Sequence, residues 1–200
     1  MVSVEWNPVT LNTQLHAPTA AVRVGDHTVA YMCRIQARGA YSEESQYRVH
    51  PLACLLVTRL SDGTYRQEVI VSHIVTDVYR ECVGYVGGML YILVPGPEES
   101  HYCKPPQKFV SVVTLSLDTH VWTVYPPGQL LVFMYPQCSF VLGDCWYIVG
   151  SGSTGTTILR YSTISQLWSA VEAQLDSLRS SIQRCATTGD TVYLLDVYGG

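Results

Sequence analysis

The stretch from Val149 to Thr157 reads VGSGSTGTT and carries the spacing G-x-G-x-x-G at Gly150, Gly152 and Gly155, directly after the apolar run Cys145-Trp146-Tyr147-Ile148. Such a loop cradles a dinucleotide pyrophosphate when a helix follows at once, because the helix N-terminus supplies the amides and the dipole that hold the phosphates. Here Gly155 is followed by TTILRYSTI, a β-branched and apolar run of the strand kind. Glu172 lies near the spacing of a ribose-binding acid, but one glutamate without the helix does not make a site. No lysine follows the last glycine, so a Walker loop is excluded. The residues favour a turn between two strands.

Metal and nucleophile chemistry fare no better. The histidines are His16, His27, His50, His73, His101 and His120, and the cysteines are Cys33, Cys54, Cys82, Cys103, Cys138, Cys145 and Cys185. No C-x-x-C or H-x-x-x-H spacing occurs among them, and the one close pair, His101 and Cys103, falls short of the four ligands a structural zinc takes. There is no G-x-S-x-G elbow, and Gly150-Ser151-Gly152 is too short to be one. The expectation is therefore a chain without catalytic residues, metal or cofactor, and not an enzyme. The cysteines are odd in number and sit mostly inside apolar runs, which reads as reduced, buried thiols of a cytoplasmic or nuclear protein.

What, then, do these residues build? At 48% hydrophobic and 14% charged over 200 residues the chain is globular, with enough length to form a core without disulfides or a structural metal. The net charge of −4 and the scattered basic residues give no electrostatic support for nucleic-acid or anionic-membrane binding. The longest apolar runs, such as QLLVFMY from Gln129, are far short of the ~20 residues of a spanning helix. The opening MVSVEWNP has none of the regions of a signal peptide.

An internal repeat organises the rest. Gly87 to Tyr91, Gly143 to Tyr147 and Gly189 to Tyr193 share the form Gly-x-x-x-Tyr, and Gly25 to Val29 fits with valine at the last place. The steps between them are 62, 56 and 46 residues, and Cys82, Cys138 and Cys185 precede the last three glycines. A second mark keeps phase: Trp122 and Trp168, with Tyr65 at the corresponding place and Trp6 opening the series. Between marks run short strand-like segments, HTVAYMC, PLACLLVTRL, MLYILV, FVSVVTLSL, CSFVLG, TTILRYS and TVYLLDVY. Val171 to Arg184 is the one helix-like window, readable also as a turn within a loop.

These marks resemble kelch repeats. Tyr161 to Trp168 matches that family's Tyr, six residues, Trp, and Val197-Tyr198-Gly199-Gly200 resembles its double glycine, although Leu115 and Thr58 stand where further tyrosines belong. The resemblance implies an all-β, partial β-propeller, each repeat a four-stranded antiparallel blade, with the aromatic marks Trp6, Tyr65, Tyr91, Trp122, Tyr147, Trp168 and Tyr193 filling the space between blades. Trp146 points to the opposite face of its strand from Tyr147, and no burial follows for it. On this map residues 1–16 end one blade, 17–72, 73–128 and 129–175 are whole blades, and 176–200 is half of another. The chain looks cut at both ends, and the strand at Val192 to Tyr198 is expected to seek a partner by self-association.

Two long connections stand out, 36–48 and 95–106. Loops of this length are commonly functional, and in kelch proteins such loops build the partner-binding face. Arg38, Tyr41, Glu43, Tyr47, Glu98, His101 and Tyr102 are the candidate contacts with a protein partner. Solvated insertions without a partner are the alternative. The resemblance further implies a substrate adaptor of a cullin-3 ubiquitin ligase if a BTB domain accompanies the repeats; none lies in these residues. Left open are a fragment of a kelch-type enzyme resembling the copper-containing galactose oxidase, whose tyrosine, cysteine and histidine ligands have no match here, and a non-propeller β-rich binding domain.

Overall fold

The computed structural model describes residues 14–15, 18–36, 51–75, 82–95, 110–125, 135–152, 155–171 and 182–196. Among them the protein is all-β, with no helix. The first sheet holds β1 (Gln14–Leu15), β2 (Ala20–Arg23), β3 (Thr28–Gln36), β4 (Pro51–Arg59) and β5 (Tyr65–Val75), with β1 and β2 pairing successive parts of β3. The second is β6 (Val83–Val86), β7 (Met89–Pro95), β8 (Val110–Ser116) and β9 (Trp122–Tyr125). The third is β10 (Tyr135–Leu142), β11 (Cys145–Gly152), β12 (Gly155–Ser162) and β13 (Leu167–Val171), and the last pairs β14 (Ile182–Thr188) with β15 (Thr191–Asp196). All pairings are antiparallel, and from β2 onward neighbours in sequence within each sheet are neighbours in space.

Turn chemistry sets these registers. Gly87, Gly143 and Gly189 sit at the first position of the hairpin joining first to second strand, with φ of +55°, +55° and +56°. That left-handed backbone is where glycine costs least, which is why the glycine of each Gly-x-x-x-Tyr mark recurs. Turns between third and fourth strands also recur. Gly63, His120 and Gln166 all take positive φ two residues before Tyr65, Trp122 and Trp168. In the second and third sheets the turn is held alike. The amides of His120 and Gln166 donate to the carbonyls of Ser116 and Ser162, and those of Thr119 and Ser165 donate to the Ser116 and Ser162 hydroxyls.

The sheets stack in chain order and bury three apolar clusters. Met32, Leu52, Cys54, Leu90, Ile92 and Leu115 fill the first space, with Trp122 packed against them. Tyr91, Leu93, Trp146, Ile148, Leu159 and Tyr161 fill the second, with Trp168 and Tyr125 alongside. Cys138, Val149 and Ile158 form the third, flanked by the stacked rings of Phe140 and Tyr147 and by Leu194. Strand alternation explains the assignment. Leu90 faces the first sheet and Tyr91 the third, and Trp146 faces the second sheet and Tyr147 the fourth.

Two expectations change. Tyr65, proposed as an aromatic filler in step with Trp122 and Trp168, is 48% exposed. Its hairpin is one residue shorter: Tyr65 pairs with exposed Arg59, whereas Trp122 pairs with buried Leu115 and Trp168 with buried Tyr161. A one-residue change of register puts a side chain on the other face of the sheet. Tyr193 lies on the face of β15 opposite Leu194 and is 59% exposed, because no described sheet covers that side. Of the helix-like window, Val171 ends β13 and Ile182 to Arg184 begin β14, while 172–181 lie outside the described residues.

Candidate functional site

The first strands of the four sheets lie side by side: β2 packs on β6, β6 on β10 and β10 on β14. Hydrogen bonds between sheets fasten them, the Ser139 hydroxyl donating to the Val83 carbonyl at 3.3 Å and the Cys185 thiol to the Ser139 carbonyl at 2.9 Å. Their shared surface is a depression of about 640 Å³, lined by residues 18–23, 83–85, 138–141 and 184–187 together with Tyr31. Its wall is mixed. Tyr31, Tyr85 and Phe140 supply aromatic surface, and among the described residues the charged ones in the lining are Arg23 and Arg184. Arg23 donates to the Gly25 carbonyl and pairs with Asp26 at 3.2 Å on the exposed rim.

The glycine loop that first invites a nucleotide reading closes the β11–β12 hairpin. Gly150 pairs with Thr157, Ser151 with Thr156 and Gly152 with Gly155, and β12 continues directly as a strand. Among the described residues no helix N-terminus faces the loop to supply the donors that would hold a pyrophosphate.

Cys33, Cys54, Cys82 and Cys138 are buried cysteines, and Cys145 and Cys185 are partly covered. Burial pushes the Cys33 thiol up to about 11 and that of Cys54 to about 12, the latter helped by the nearby Cys33. A thiol held protonated in this way is a poor nucleophile and a poor metal ligand. Among the described residues no three His, Cys, Asp or Glu side chains gather as a metal site.

The densest side-chain cluster outside the depression is aromatic. Trp146, fully buried, lies 6.2 Å from Trp168 and 6.3 Å from Tyr91, and Tyr161 lies 5.0 Å from Trp168. Desolvation, then the neighbouring Tyr125 and Tyr91, raise the Tyr161 hydroxyl to about 12, and Tyr91 is raised by burial first and Tyr125 second. The indole nitrogens of Trp122 and Trp146 are buried without a hydrogen-bond partner. Shape, not hydrogen bonding, holds them, and the role of this cluster is to join two sheets.

Trp6, Arg38, Tyr41, Glu43, Tyr47, Glu98, His101 and Tyr102 lie outside the described residues. The structure instead draws attention to Arg23, Tyr31, Tyr85, Phe140 and Arg184, which no motif singles out. Their signal is positional: the Gly-x-x-x-Tyr marks fix the hairpins, and counting back through each hairpin gives Gly84 opposite Tyr91, Phe140 opposite Tyr147 and Ala186 opposite Tyr193 on the first strands. No protein-family model and no curated protein sequence matches the chain.

Proposed function

We propose that the chain is a kelch-type β-propeller segment that serves as a protein–protein interaction module. The observation that carries this reading is recurrence. Equivalent turns hold equivalent residues in the second and third sheets, Ser116 with Ser162 and His120 with Gln166, and the first strands pack in chain order around one depression. Successive four-stranded meanders that stack face to face are how a propeller buries its blades. In this reading the connections that leave the second strands, with Arg38, Tyr41, Glu43, Tyr47, Glu98, His101 and Tyr102, form the partner-binding face. The family resemblance extends the role to substrate selection for a cullin-3 ubiquitin ligase acting in the cytoplasm.

Photo-crosslinking residues placed at Tyr41 and Tyr102, with a control at exposed Arg160 on β12, test the interaction role. Capture of the same protein from the two loop positions and not from the control is expected. Capture only at the control, or stoichiometric copper by elemental analysis, overturns it in favour of a sheet-face contact or an oxidase. Co-precipitation of cullin-3 with the gene product tests the ligase extension separately.

A further inference from the structure

We draw no further inference here: the strongest candidate, the surface patch of exposed apolar side chains at the β4–β5, β8–β9 and β12–β13 hairpins, Leu60 and Tyr65, Val121, and Ile164 and Leu167, carries none, because nothing in the structure shows what covers it.

Discussion

Gly84 and Trp146 make the tightest fit at any of the described glycines. A Cβ built at Gly84 on β6 would lie 2.5 Å from the Trp146 Cδ1 of β11, well inside contact distance and against a ring that is 0% exposed. The indole fills the space a side chain would take, so the second and third sheets approach closely at this one point. Gly84→Ala should destabilise by about 1–3 kcal/mol through overpacking, and Trp146→Ala by about 3–5 kcal/mol through the cavity it leaves. Trp168→Ala, at a half-buried position on the same cluster, should cost less than Trp146→Ala. Denaturant midpoints of the three variants check the order. Thiols give a second residue-scale expectation. The unfolded chain ionises Cys33 and Cys54 near pH 9.0, while burial keeps them protonated in the folded state to about 11 and 12. The folded state therefore binds more protons in that window, and stability that is intact below pH 9.0 falls as pH rises toward 12. Each thiol contributes a slope of up to about 1.4 kcal/mol per pH unit, and Cys54→Ala should flatten the decline measured by denaturant unfolding at alkaline pH.

At the scale of the element, the legible signals are those in which a single residue type is forced by backbone geometry. Glycine at the first hairpin position announced β6–β7, β10–β11 and β14–β15, because the positive φ there excludes most other residues cheaply. The strand-like runs PLACLLVTRL, MLYILV, FVSVVTLSL and TTILRYS overlap β4, β7, β8 and β12. Loop length was not legible in the same way. The connection before Tyr65 is one residue shorter than that before Trp122, and nothing in side-chain type announces the slip that turns Tyr65 outward. Nor was the depression legible, since its lining is drawn from strands as far apart in sequence as β2 and β14, brought to one surface only by the packing of the sheets. The third-to-fourth-strand turns carry a cost that can be removed. Gln166 holds φ +58° with an exposed side chain, a conformation that disfavours a Cβ by roughly 1–2 kcal/mol. Gln166→Gly relieves it but gives the unfolded chain more freedom, worth about 0.4–1 kcal/mol in the opposite sense. A net stabilisation of some tenths to about 1 kcal/mol is expected in thermal unfolding. His120→Gly should gain less, because His120 also meets Glu68 of the first sheet at 3.5 Å.

For the whole molecule the stacking of sheets leaves the two ends of the series unlike its middle. Tyr91 and Tyr147 are covered by the sheet that follows theirs, but Tyr193 at 59% and Leu195 at 57% exposure share a face of β15 that no described sheet covers. In the first three sheets the second strand is paired on both sides, β3 by β2 and β4, β7 by β6 and β8, β11 by β10 and β12; β15 is paired by β14 alone among the described residues. A strand with one free edge and apolar side chains on an open face is a template for another chain. Isolated two-stranded ribbons are also the weakest sheets, so here the Cys185–Ser139 hydrogen bond and the Leu194 contact with the third cluster anchor this one. The purified 200-residue chain should accordingly self-associate as its concentration rises. Leu195→Lys and Tyr193→Lys should each shift it toward monomer, since a lysine on the open face opposes stacking of a second copy without disturbing Leu194 on the covered one. Sedimentation velocity over a concentration series reads both effects. A monomer at every concentration, or association that both lysine variants leave unchanged, would mean that this face is covered within the chain itself.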